Sequence, residues 1–167
     1  PLRWDIGDFT LLAVMVDNRI AMFFLVILGA LISGVIGCML EPEVEGPGVN
    51  AAIRAYHRGS PIRIRVPIFK TIASAMFLGL GGSGGVQGPS IQIGAGIGSA
   101  TSRFFKLDDV DHKLAIVTGM AGALSAIFKS PIGSALFSIE VLYKKSFNIY
   151  ALIPTLIASY TSFIVST

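Results

Sequence analysis

The sequence is short of charge. Lys, Arg, Asp and Glu make up 14% of its 167 residues, where a soluble domain carries roughly 25%. So small a polar complement cannot cover a water-facing globule. An ordinary soluble domain is therefore excluded, and the bilayer is the natural solvent. Cysteine is nearly absent: the single Cys38 sits in an apolar run and cannot form an internal disulfide. The net charge of +3 gives no case for nucleic-acid binding. The two histidines, His57 and His112, lack metal-ligand spacing and are expected as plain surface residues in polar loops. No nucleophile–base pairing, metal constellation or cofactor fingerprint is visible, so the expectation is a non-enzyme without cofactor or metal. The chain opens on Pro1 rather than Met and carries no signal-peptide pattern, so a fragment trimmed from a longer protein is expected.

What the sequence does have is long apolar segments. Ile20 to Leu40 runs 21 residues without a charge, enough for a spanning helix at about 1.5 Å per residue. Val66 to Leu80 is apolar apart from Lys70, and Pro89 to Phe105 is uncharged up to Arg103. Leu114 to Phe128, Pro131 to Tyr143 (with Glu140) and Ile149 to Val165 follow. Several are shorter than a full span, and Gly or Pro separates them. That is the pattern of broken and tilted helices, whose irregular backbone is tolerated only where protein or a water-filled cavity covers it. The fold class expected is all-α, a polytopic integral membrane protein, with residues 1–167 as one transmembrane domain. Small residues four apart (Gly81/Gly85, Gly84/Gly88, Gly94/Gly98, Gly119/Ala123, Gly122/Ala126) are suited to close helix packing in lipid. Basic residues cluster between Glu41 and Lys70: Arg54, Arg58, Arg63 and Arg65, with His57 beside them. The cluster reads either as a solvated loop that sets topology or as a surface attracting anionic lipid or anions; in both cases the positive-inside bias makes it cytoplasmic.

Nine glycines crowd Gly79 to Ala100. Gly79 to Gly84 matches G-x-G-x-x-G, but a membrane-type helix precedes it and no acidic residue follows at the required distance, so phosphate cradling is rejected. A flexible linker is equally unsuitable between segments that belong in lipid. A helix start fits better. Gly88-Pro89 ends one element and Pro89 begins the next, since proline's missing N–H would be unbonded in a first turn anyway. The free N–H groups there and the positive end of the helix dipole attract an anion. The device recurs at Gly46-Pro47-Gly48 and at Ser130-Pro131. Partial charges of this kind hold an ion loosely enough for it to leave.

The run "GGVQGPSIQIGAGIGS", Gly84 to Ser99, resembles the second signature, G-[KR]-E-G-P, of the CLC family of chloride channels and chloride/proton exchangers. "GPGVN", Gly46 to Asn50, is similar to the first signature, G-S-G-I-P. Ala121 to Leu142 resembles the segment that follows, with A-x-F-x-[AS]-P and F-x-x-E. The resemblance covers roughly Ile20 to Thr167 and implies most of the first of the family's two inverted halves. The first long helix is then largely missing, and so is the whole second half with its own anion signature. It also implies transmembrane transport of chloride or another small anion by a homodimer in the cell membrane. Dimer contacts would involve Pro131 to Tyr143 and Ile149 to Val165. The implied anion-binding residues are Gly46, Pro47, Gly48, Val86, Gln87, Gly88 and Pro89.

The departures from the family are informative. In the family's exchangers an external gating glutamate stands where this chain has Gln87, and an internal proton-path glutamate stands where it has Val141. Neither residue titrates near neutral pH. The basic residue of the second signature is Val86, and the first signature's serine is Pro47, a replacement associated in the family with nitrate preference. The resemblance therefore implies passive, uncoupled flux. The rivals are a non-transporting scaffold or regulatory relative, and an exchanger using Glu41, Glu43 or Glu45, which are expected in a loop at the membrane edge. Glu140 reads either as a hydrogen-bond centre or as a vestibule residue, and Lys129 as a snorkelling side chain or an anion attractor. Orientation is directly testable in the full-length protein lacking Cys38. A thiol at Arg58→Cys should label with an impermeant reagent from the cytoplasmic side, and one at Gln87→Cys from the opposite side.

Overall fold

In the computed structural model, residues 19–44, 46–59, 61–143 and 149–167 are described. Helix α1, Arg19–Val35, continues into a π-turn, Ile36–Leu40, and a short 3-10 turn, Pro42–Val44. Then follow α2 (Val49–Arg58), α3 (Arg65–Gly79), α4 (Gln87–Phe104), α5 (Asp109–Phe128), α6 (Pro131–Tyr143) and α7 (Ile149–Ser166). No strand occurs among the described residues. The apolar segments of the sequence thus reappear as helices with nearly the expected bounds. One shift occurs at α4, which begins at Gln87 rather than Pro89. Proline is tolerated there because the first four N–H groups of a helix have no partner within it. Among the described residues, two helices are long and apolar enough to cross a membrane by length and composition: Met22–Met39, which includes the π-turn, and Ile149–Ser166.

Helix α5 is the centre. It packs on α4, α6 and α7, while α3 lies between α4 and α1. Ile116, Val117, Met120 and Ala121 of α5 are fully buried, together with Ile91 and Ala95 of α4 and Ile139 and Leu142 of α6. The α4–α5 contact is made by backbone. A Cβ on Gly98 would overlap the Ala115 carbonyl, and one on Gly94 would overlap the Gly119 carbonyl. Two hydroxyls join α5 to α7: Ser125 Oγ donates to Ser159 O and Ser162 Oγ to Gly122 O, each at 2.7 Å. Such interhelical bonds contribute about 0.6 kcal/mol each in membranes.

Several local expectations are corrected. Gly81, Gly84 and Gly85 lie in the connection between α3 and α4, so they pack no helix pair. Gly81 takes φ 90° there, a turn conformation. His112 belongs to the first turn of α5, is buried, and its Nδ1 lies 2.5 Å from Ser102 Oγ. Helix α5 starts upstream of the expected Leu114 because Asp108, Asp109 and Asp111 favour a helix N-terminus. Lys129 is exposed, and its Nζ donates to the carbonyl and, at 2.8 Å, to Oγ of Ser166, capping α7. Arg103 Nη2 and Ser99 Oγ take the carbonyl and N–H of Ile62 at 2.9 and 3.0 Å, which satisfies the backbone of the connection before α3.

If backbone contact holds α4 against α5, Gly98→Leu should lower the stability of the full-length protein by about 1–3 kcal/mol, the usual effect of overpacking. Gly34→Ala, where an added Cβ meets nothing within 4 Å, should leave the thermal melting point unchanged or higher. Melting curves in detergent check both.

Candidate functional site

The site begins with two helix starts that cross. Before α2 the chain turns through Gly46 (φ 86°) and Gly48 (φ 69°), left-handed values that side chains disfavour. The turn brings the first residues of α2 onto those of α4. A Cβ on Gly48 would overlap the Gly88 carbonyl oxygen, and one on Gly88 would lie 2.6 Å from the Pro47 carbonyl oxygen. Only two glycines allow backbones so close.

Beside this crossing lies a cavity of about 760 Å³. Gly46 and Pro47 of the α2 turn and Gln87, Gly88 and Pro89 of α4 line one side. The π-turn residues Gly37 and Cys38 and Phe77 of α3 are among the others that line it. Five of the seven expected anion-site residues therefore share one cavity. Gly48 lies behind it, buried at the helix crossing, and Val86 is exposed and is not among its lining residues. The walls are mostly apolar, and the positive ends of two helix dipoles border them, an arrangement suited to a desolvated anion. Gln87 also borders a second cavity of about 210 Å³, formed by Ser130, Gly133 and Ser134 at the start of α6 with Leu124, Phe128 and Phe137. The third proline-marked helix start thus reaches the other side of the same amide.

Val141 is half-buried on α6 and lines neither cavity, and Glu140 beside it is exposed on this chain. Of the three loop acids, Glu41 is buried rather than peripheral, with Oε1 3.5 Å from Arg63 Nη1. Glu43 is exposed, and its carbonyl accepts from Gln92 Nε2 at 2.5 Å; Glu45 lies outside the described residues. No group of three or more metal-ligating His, Cys, Asp or Glu gathers among the described residues.

One residue of the site went unrecognised in the sequence. Lys70, counted there with the basic cluster, belongs to α3, is 7% exposed, and lines the larger cavity. Its Nζ donates to the carbonyls of Val44 at 2.6 Å and Gly46 at 2.9 Å. The available signal was its isolation: a lone cation within an apolar helix is a functional candidate by default.

This geometry has counterparts of known relationship. A family profile described as voltage gated chloride channel matches residues 18–167. An uncharacterized protein of Methanocaldococcus jannaschii is 29% identical over 123 residues, which cover 74% of this chain and 31% of that one. The H(+)/Cl(-) exchange transporter ClcA of Vibrio vulnificus is 32% identical over 106 residues, 59% of this chain and 22% of its own length. The crystal structure of a CLC-type fluoride/proton antiporter superposes with a TM-score of 0.76 at 25% identity, over 92% of this chain and 39% of that one. The chain thus spans about a third or less of these curated relatives' length. With its fold, its two crossing helix starts and the span of the profile all in agreement, the chain belongs to the voltage gated chloride channel, or CLC, family.

Proposed function

We propose that this chain is the first inverted half of an integral, multi-pass membrane protein that carries chloride or another small anion passively, without proton coupling. The observation that carries the reading is the convergence of the α2 and α4 starts on one cavity whose expected gate position holds Gln87. An amide carries no charge to compete with an anion and no proton to exchange near neutral pH. Val141 on α6 removes the second titrating position. The curated relatives named as H(+)/Cl(-) exchange transporters support anion transport as the class of activity. Pro47 in the first signature leaves nitrate as a candidate alongside chloride. The reading extends to a homodimer in the cell membrane. Ile132 and Leu136 on α6 and Ile153 and Ile157 on α7 are exposed apolar residues that lipid or a second subunit would cover.

Two substitutions in the full-length protein, reconstituted in liposomes, test this. Gln87→Glu introduces a carboxyl group whose ordinary pKa is about 4.3. Above its pKa the carboxylate is charged and competes for the anion site; below it the group is neutral. Anion flux should therefore be high at low pH and fall as pH rises. An imposed anion gradient should still move no protons uphill, because Val141 is unchanged. Sustained uphill proton movement by the unmodified protein would overturn the passive reading, and absence of anion flux would favour the scaffold.

The helix crossing has its own control. Gly48→Ala places a methyl group against the Gly88 carbonyl at a left-handed φ, whereas Gly85→Ala meets nothing within 4 Å. Flux should fall at least about tenfold in the first, as in other sites displaced by about 1 Å, and stay within about twofold in the second.

A further inference from the structure

A separate cavity of about 290 Å³ lies farther along α2 and shares no lining residue with the anion cavity. Ala51, Arg54, Ala55 and Arg58 line it, at the spacing that puts four residues on one face of a helix. The two alanines leave room, and the two arginines stand one turn apart. Like charges at that spacing repel. Neither guanidinium meets a carboxylate or donates a hydrogen bond among the described residues. Arg58 lies in the last turn of α2, where the helix dipole favours a cation; Arg54 has no such support. Ile62 and Val66, both buried, form an apolar wall.

The opposite chemistry is present in the same cavity. Gln92 of α4 is fully buried and lines it. Its Nε2 donates to the Glu43 carbonyl at 2.5 Å, which fixes the orientation of the amide. Its Oε1 is then buried without a partner. A buried acceptor left unpaired is costly, so a donor is called for. The Glu43 side chain is exposed, is not ion-paired among the described residues, and belongs to the same lining.

We infer that this cavity binds a phosphorylated primary amine, a phosphate group joined by a short chain to an ammonium. The forked guanidiniums of Arg54 and Arg58 match phosphate oxygens. The ammonium donates to Gln92 Oε1 and pairs with the Glu43 carboxylate. Free phosphate satisfies the arginines alone, and a simple amine the acceptors alone. A soluble aminoalkyl phosphate and the headgroup of an ethanolamine lipid share this chemistry.

The test uses purified full-length protein in detergent free of ethanolamine lipid, with O-phosphoethanolamine as the probe, read by calorimetry and by melting curves. The probe should bind and raise the melting temperature, because it binds the folded state. Inorganic phosphate should bind at least about tenfold more weakly, and Arg54→Gln should weaken the probe by about tenfold, the scale of one charge-assisted hydrogen bond. Arg65→Gln, exposed and outside the cavity, should bind within about twofold of the unmodified protein. Glu43→Gln should narrow the preference for the probe over phosphate. No binding of the probe, or unchanged binding in a folded Arg54→Gln variant, would overturn the inference, and so would phosphate binding as tightly as the probe. Nanodiscs of phosphatidylcholine, with and without phosphatidylethanolamine, assign the source. Loss of probe binding when the ethanolamine lipid is present supports the site with a lipid headgroup as its occupant; binding unaffected by that lipid supports it with a soluble one. Chloride flux plays no part in these readings, so failure of the transport proposal leaves them intact.

Discussion

The site depends on one contact, the backbone of Gly48 against the backbone of Gly88. Neither helix start could address the cavity if the other were displaced by a side chain. Everything around it keeps these two starts in place. The left-handed turn at Gly46 and Gly48 aims α2, and the Lys70 ammonium fixes that turn from α3. Helix α4, which carries the other start, is held along its length by its glycine contact with α5. Helix α5 is in turn tied to α7 by Ser125 and Ser162. The anchoring of α4 therefore passes through close backbone approach and hydroxyl bonds, as expected where lipid is as apolar as the side chains and hydrophobicity alone cannot hold helices together.

Much of this was legible in the sequence because the bilayer imposes simple rules. Apolar stretches bounded by Gly, Pro or Asp became α1 and α3 to α7 with small shifts. The short α2 was visible as the element opened by Gly46-Pro47-Gly48. Five of the seven expected site residues came together. Misplaced features share one cause: local pattern does not reveal which side chains tertiary contacts recruit. His112 looked like a loop residue, yet Ser102, ten positions earlier, draws it inward. Glu41 looked peripheral, but it is buried and paired with Arg63. Lys70 was counted with the basic residues before it, although its isolation in the apolar run Val66 to Leu80 set it apart. Conversely, the small-residue spacing at Gly81/Gly85 matched a packing motif by count alone, because the motif presupposes a helix that the chain does not form there.

The walls of the cavity differ in how firmly they are set. The starts of α2 and α4 and the body of α3 are fixed by contacts within the chain. The remaining wall, Gly34, Gly37 and Cys38 of α1 and its π-turn, belongs to a helix that packs chiefly on α3 and shows most of its apolar surface outward, with Phe23, Phe24, Leu31 and Val35 exposed. Whatever lies against that outer surface shares in setting how close α1 stands. Where lipid covers such a helix, it tilts to match the thickness of the hydrocarbon, at about a fraction of a kcal/mol per Å. The space beside the two helix starts is therefore a joint property of the chain and of whatever covers the outer face of α1.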